Sequence, residues 1–197
     1  MAFTRVTLAA FIGMIGWSVT ASFSTALAGN QQNPEPGIRS ALQRAVLESE
    51  SFRDRFEAEV WLLDMAQRLQ KKIKKDHLRI ELLKQVHYEA NRVKLPPELI
   101  LAIIHVESNF DAYAISSVGA RGLMQVMPFW RKEIGRPNDD LFDMRTNLRY
   151  GSTILRYYLD MEKGNLSRAL GRYNGSLKSY KYSDSVFRAL RTQWHLQ

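Results

Sequence analysis

Cysteine is absent from this 197-residue chain, which excludes a disulfide framework, a thiolate metal ligand and a lipid anchor built on a cysteine. Packing alone must hold the fold. Histidine is scarce, and His77, His87, His105 and His195 show no paired-ligand spacing; His105 and Glu107 would also point to different sides of one helix. A zinc peptidase is therefore not expected, and neither is any other metal or cofactor. Long apolar runs are missing apart from Val6 to Val19, which is interrupted by Gly13, Gly16 and Ser18 and falls short of a membrane span. Internal repeats and alternating strand patterns of useful length are missing as well. Acidic residues are outnumbered, 20 against 28 basic ones, giving a net charge of +8 and a pI near 9.8. Such a balance calls for a polyanionic partner, for which nucleic acid, anionic lipid and a carboxylate-bearing cell wall all qualify.

The first 28 residues carry Arg5 as their only charge and end on the small-residue pattern Ala26-Leu27-Ala28. This is the anatomy of a secretory signal cleaved after Ala28, so the protein is expected to be exported to the periplasm or cell envelope. Retention as an anchor would change tethering rather than chemistry. Export makes nucleic acid the least suitable of the three polyanions.

Residues 29 to 37 are rich in Asn, Gln, Pro and Gly and read as a linker. From Ile38 onward the pattern is helical, with Val60, Leu63, Met65 and Leu69 marking an amphipathic segment, and the run Lys71 to Lys75 reads as a solvated face. Residues 29–75 thus read as a linker and helical extension, and the length of the chain suits one domain with a short extension. Ile80, Leu83, Val86 and Ala90 predict a helix from about Leu78 to Arg92. Pro96-Pro97 restarts the chain: Pro97 suits a first helical turn, and Glu98 complements the dipole there. The next run, Leu99 to Ile104, is apolar on every side and predicts a helix buried all round. A turn-rich stretch comes after it, with room for a very short hairpin within 110–125. Helices are then expected from near Thr146 to about Lys163, from Leu166, and from about Ser183 to Trp194. The fold class read from this pattern is all-α.

Glu107 stands at the end of the buried helix, with Ile104, Ile103 and Ile100 on its own face. Burial and the negative end of the helix dipole both disfavour a carboxylate, so both raise its pKa, as a general acid requires. Two bland arrangements satisfy the same pattern: a glutamate turned to water at a fraying helix end, or one paired with Arg121.

The residues after the glutamate are more specific. Glu107-Ser108-Asn109-Phe110 leads to Ser116, nine positions after the glutamate, and then to Gly119-Ala120-Arg121-Gly122-Leu123-Met124-Gln125-Val126-Met127-Pro128. Leu141-Phe142-Asp143, then Asn147 and Gly151, then Arg172-Tyr173-Asn174-Gly175 keep a recognisable order. Over residues 76 to 195 the chain closely resembles the soluble lytic transglycosylase (SLT) family, which has a lysozyme-like fold. The resemblance implies that Glu107 is the catalytic acid and base and that Ser116 bonds near the acetamido group of the reacting sugar. It further implies that Met124, Gln125 and Met127 line the cleft and that Tyr173 and Asn174 close the site opposite the glutamate. Read from the residues alone, Met124 and Met127 also suit a core, and Ser116, Gln125 and Asn174 also suit turns. Two features depart from the family. The acidic residue that many relatives carry shortly before the last helix is missing from Ser179-Tyr180-Lys181-Tyr182-Ser183, and Arg172 replaces a small residue.

Most glycosidases need two carboxylates. Here Asp111 lies in a turn-rich segment, and Asp139, Asp140 and Asp143 read as loop and helix-start residues. One acid suffices if the substrate supplies its own nucleophile, which the acetamido oxygen of N-acetylmuramic acid can do. The family resemblance therefore implies a peptidoglycan lytic transglycosylase that forms 1,6-anhydro-N-acetylmuramic acid. Its rivals are a muramidase of the same fold and a non-catalytic wall-binding or assembly protein. A cell-envelope partner would dock through residues 38–75.

Overall fold

The computed structural model describes residues 55–195. The expected signal, the linker and the helical start at Ile38 lie outside those residues. Among the described residues the chain is mainly helical, as its patterning predicts, and none of the helices is long and apolar enough to cross a membrane.

The first helix, α1 (Arg55–Leu69), buries Ala58, Trp61, Leu62, Met65, Ala66 and Leu69. These recur every three or four residues and make one stripe. The stripe differs in part from the expected one: Met65 and Leu69 belong to it, but Leu63 is half-buried and Val60 is 53% exposed. Val60 sits five residues before Met65, about 140° around a helix with 3.6 residues per turn, and so faces outward. The lysines of 71–75 are solvated, as expected. The turn they occupy is held from beneath by buried Arg79, which donates to the carbonyls of Ile73 (2.8 Å) and Lys74 (3.1 Å) and pairs with Asp76 (2.6 Å).

Helix α2 (Asp76–Arg92) starts slightly earlier than its apolar pattern, because Asp76 opens its first turn. Ile80, Leu83, Val86 and Ala90 are all buried. Helix α3 (Pro97–Glu107) has Pro97 in its first turn, and Leu99 through Ile104 are shut away from solvent on every side. A fully buried Leu or Ile contributes roughly 1.5–3 kcal/mol, so this run anchors the core. Glu98 does more than complement the dipole: it is buried and accepts from the indole N–H of Trp61 at 2.6 Å. That bond ties α1 to the start of α3. Arg68 ties α1 to the other end of the chain by donating to the Gln193 carbonyl at 2.9 Å. Helix α1 therefore shares one hydrophobic core with the later helices.

After α3 the backbone is irregular as far as α4 (Trp130–Ile134), and the hairpin expected within 110–125 is reduced to two isolated antiparallel bridges, Ile115 with Arg121 and Arg121 with Val126. Helix α5 (Met144–Met161) is capped by Asp143, whose carboxylate accepts from the Thr146 N–H at 2.8 Å. Helix α6 (Leu166–Tyr173) is capped in the same way by Asn165. Helix α7 (Lys181–Ala189) runs into a π-helical turn, Leu190–Trp194, which turns Trp194 inward until it is 1% exposed. Helix α3 packs against α2, α7 and this π turn, so its C-terminal residue is presented where the irregular segment meets α7.

Candidate active site

Glu107 ends α3, and no further intrahelical turn extends beyond it to carry its carboxylate away from the core. Its Oε1 accepts a hydrogen bond from the Tyr182 hydroxyl at 2.6 Å. Arg121 is turned elsewhere, its guanidinium 5.7 Å from the centroid of the Phe142 ring, so the alternative pairing with Glu107 is not adopted. Burial pushes the Glu107 carboxyl up to about 7, and the Tyr182 bond opposes that shift. The sequence predicts this direction and its main cause. Burial and the nearby Glu107 charge hold the Tyr173 and Tyr182 hydroxyls well above the ordinary phenol range, so both act as neutral donors.

The chain leaves α3 by a sharp reversal in which Asn109 (φ 51°) and Phe110 (φ 71°) both lie in the left-handed region. For a bulky residue such as phenylalanine this conformation is strained. Packing holds it: the Phe110 ring lies 5.3 Å from that of Trp194 and 6.1 Å from that of His105. Ser108 then reaches across to donate to the Leu123 carbonyl at 2.8 Å, which fixes the irregular segment beside the glutamate.

That segment is organised by one buried amide. Asn147 accepts from the Met124 N–H (2.8 Å) and donates to the carbonyls of Arg121 (2.8 Å) and Leu141 (2.7 Å). Gly122 must be glycine on two counts: its φ is 73°, and a Cβ there would stand 2.5 Å from the Asn147 amide nitrogen. Gly151, one helical turn beyond Asn147, leaves room for Met124, since a Cβ would fall 2.4 Å from its sulfur.

The predicted site residues divide by what they touch. Tyr173 donates from its hydroxyl to the Met124 carbonyl at 2.8 Å, which sets it beside the same segment as Glu107. Gln125 (φ 47°) donates to the carbonyls of Ala114 (3.1 Å) and Gly122 (3.0 Å). The Ser116 hydroxyl accepts from the Ala120 N–H at 3.0 Å. In this structure both side chains therefore brace the loop. Met127 is half-buried, with one side facing outward. Met124 departs from its expected place in the cleft wall: its side chain is fully buried against Gly151, and its carbonyl is what it offers the site. Asn174 is exposed and closes α6 through its backbone, donating to the Leu170 carbonyl at 3.1 Å. The other acids are engaged locally. Asp111 accepts from the Tyr113 N–H, Asp140 from the Phe142 N–H, and Asp139 from the Tyr150 hydroxyl and the Arg136 N–H.

Sequence reasoning missed Tyr182. The signal was its position: Tyr182, Val186 and Ala189 form the buried stripe of α7, so a tyrosine there must bring its polar tip to a partner inside. It also missed the tie between the two tyrosine-bearing helices, in which the Ser167 and Ser183 hydroxyls lie 3.0 Å apart.

The profile of the transglycosylase SLT domain matches residues 84–188 of this chain, from the middle of α2 to the end of α7. The chain belongs to the SLT family. The matched span holds Glu107, the Asn147 frame and both tyrosines, whereas α1 precedes it although its apolar face lies in the same core. Among relatives of this SLT domain, the transglycosylase of Enterobacteria phage PRD1 is 37% identical over 81 residues, covering 41% of this chain and 29% of the phage protein. Membrane-bound lytic murein transglycosylase C of Yersinia enterocolitica serotype O:8 is 30% identical over 116 residues, covering 54% of this chain and 32% of the other. The match therefore spans less than a third of either relative's length. Lytic transglycosylase Slt from Pseudomonas aeruginosa aligns with a TM-score of 0.44 at 25% identity, over 73% of this chain and 26% of that one.

Proposed function

We propose that this protein is a peptidoglycan lytic transglycosylase that cleaves the β-1,4 bond between N-acetylmuramic acid and N-acetylglucosamine, with Glu107 as acid and then base. The observation that carries this reading is the Glu107 carboxyl, raised to about 7 by burial and held by Tyr182. Near neutrality such a group is present in both protonation states, which suits a residue that must give a proton and then take one. The names of the relatives, one a murein transglycosylase, support the same substrate.

In the first half of the reaction Glu107 delivers its proton to the glycosidic oxygen, and the C1–O bond breaks as the acetamido oxygen stabilises the positive centre. In the second half the Glu107 carboxylate takes the proton of the muramyl C6 hydroxyl, whose oxygen attacks C1 and closes the 1,6-anhydro ring. The proton lost is thus regained, and no water is consumed. The local engagement of Asp111, Asp139 and Asp140 supports a one-acid mechanism. The Tyr182 hydroxyl orients the carboxylate, while Tyr173, Ser116, Gln125, Met127 and Asn174 shape the sugar cleft around it. Export to the cell envelope, implied by residues 1–28, brings the enzyme to this substrate.

Digestion of purified peptidoglycan followed by mass spectrometry tests the reading. The expected muropeptides end in 1,6-anhydro-N-acetylmuramic acid and carry no label from heavy-oxygen water. Reducing ends bearing solvent oxygen would make the protein a muramidase. Intact glycan from folded protein would make it a wall-binding protein.

A further inference from the structure

Two pairs of adjacent aromatic residues have no part in the chemistry above: Phe129-Trp130 at the head of α4 and Tyr157-Tyr158 in the last turns of α5. Neighbours on a helix point about 100° apart, so a pair of adjacent rings must split between inside and outside. Trp130 and Tyr158 pack against the core, while Phe129 and Tyr157 are each 53% exposed. The four rings nevertheless touch in sequence. Phe129 lies 5.1 Å from Trp130, Trp130 lies 6.2 Å from Tyr158 at nearly a right angle, and Tyr158 lies 5.4 Å from Tyr157. All three separations fall in the range of favourable aromatic contact. Met161, one turn beyond Tyr157, adds a further apolar exposed side chain.

This row adjoins the catalytic segment. The Trp130 N–H donates to the Met127 carbonyl at 3.1 Å, in the same segment whose Met124 carbonyl receives the Tyr173 hydroxyl. Tyr158 also stands close enough to Tyr173 to affect it electrostatically, as Glu107 does. The two inner rings, Trp130 and Tyr158, thus adjoin the Met127 and Tyr173 side of the site, and the two outer rings, Phe129 and Tyr157, are presented to solvent.

We propose that Phe129, Trp130, Tyr157 and Tyr158 form a stacking wall that carries sugar rings of a glycan strand beyond the one held at Glu107. This rests on the peptidoglycan reading of the Glu107 site. In a β-1,4 glycan the ring substituents are equatorial, which leaves C–H groups on both faces of each pyranose. Such faces pack on aromatic rings, and the Tyr157 hydroxyl at a ring edge can bond a sugar hydroxyl. The four rings carry no formal charge, and Arg172, whose charge reaches Tyr158, is paired with Glu162, so the wall suits the polysaccharide backbone better than carboxylates of the stem peptide. Continuity with the Tyr173 side of the site favours glycan over a protein partner as the occupant.

The test uses the full chain carrying Glu107→Gln, so that no probe is consumed, and measures binding of the N-acetylglucosamine trimer and hexamer by titration calorimetry. Adding Phe129→Ala and Tyr157→Ala together should weaken hexamer binding about tenfold, and trimer binding by less, since each stacked ring is worth a few-fold. Tyr88→Ala, an exposed aromatic on α2, should leave hexamer binding as it was. Thermal melting of the double variant should fall by no more than a few degrees, because both rings are half exposed and give up only their contacts with Trp130 and Tyr158. Hexamer binding unaffected by the double substitution would overturn the wall while leaving the Glu107 reading intact. Equal losses for trimer and hexamer would overturn its placement beyond the acid. A folded parent that binds neither probe would overturn both readings.

Discussion

The seam between α2 and α5 buries one glutamate fully and the end of α3 holds another half-buried, and the two are treated in opposite ways. Glu89, in the seam, is fully buried between two guanidinium groups, with Arg92 at 2.6 Å and Arg149 at 3.0 Å, and Gln85 donates to it at 3.3 Å. Glu107 has apolar residues behind it and a neutral tyrosine in front. A buried carboxylate surrounded by cations is part of the frame, because its charge is answered where it stands. One answered only by a hydroxyl is left able to exchange its proton near neutral pH. Burial alone therefore does not set a glutamate's proton affinity; its partners do.

The largest effect that sharpens this contrast is on turnover. Glu107→Gln should retain the fold and lower the rate of peptidoglycan cleavage at least about a hundredfold, the ordinary value of a general acid. Glu89→Gln should leave a correctly assembled site whose rate at low temperature stays within a few-fold of wild type. Near wild-type clearance by the Glu107 variant would end the assignment of the acid.

Stability should divide the other way. Replacing Glu89 with alanine removes a buried hydrogen-bonded carboxylate, while Arg92 and Arg149, 34% and 58% exposed, turn to water, so the change should cost about 1.5–3 kcal/mol, read as a lowered midpoint in chemical denaturation. For Glu107 the sign is set by its raised pKa. Between about 4.5 and 7 the unfolded chain has already lost the proton that the folded chain still holds, so the native state loses stability as pH rises through that window. The stabilities of wild type and Glu107→Gln should therefore run parallel below pH 4. Between pH 4 and pH 7 the variant should gain of the order of 3 kcal/mol on wild type. Parallel curves at all pH values would show that the carboxylate is not held in an apolar setting.

The smallest effect concerns Tyr182. Its hydrogen bond favours the ionised carboxylate, so Tyr182→Phe should move the Glu107 pKa upward and carry the alkaline limb of kcat/KM to higher pH. A merely structural tyrosine would change the height of the profile and leave that limb where it was.

Much of this arrangement was legible in the sequence, and the division reflects the range of the interactions. Helices announce themselves over a few residues, so α2, α3 and α5 were readable from Ile80, Leu83, Val86 and their equivalents to within about a turn. The Glu107 context was equally local, since its apolar face comes from the preceding two turns of the same helix. In α1 the pattern carries apolar residues on more than one side, and only contact with α2 and α3 selects Trp61 and Leu62 over Val60. The bond from Tyr182 to Glu107 spans most of the domain in sequence and leaves no periodic trace. The same holds for Asn147, whose type and position in the family order were visible while its three partners were not. Ser116 and Gln125 show the converse, because their spacing was evident and yet their side chains turn to backbone groups of the loop.

The Asn147 frame has a consequence for the glutamate beside it. The side chains that fix residues 121–125 beside Glu107 are amides and hydroxyls: Asn147 to Met124, Arg121 and Leu141, Gln125 to Ala114 and Gly122, Ser108 to Leu123, and Tyr173 to Met124. None of these groups gains or loses a proton near neutrality, and the Tyr173 phenol is held still further from doing so. The scaffold is thus chemically silent over the interval in which the glutamate changes state. Carboxylate and carboxylic acid meet the same walls, so a proton can leave Glu107 and return to it without the surrounding backbone having to move.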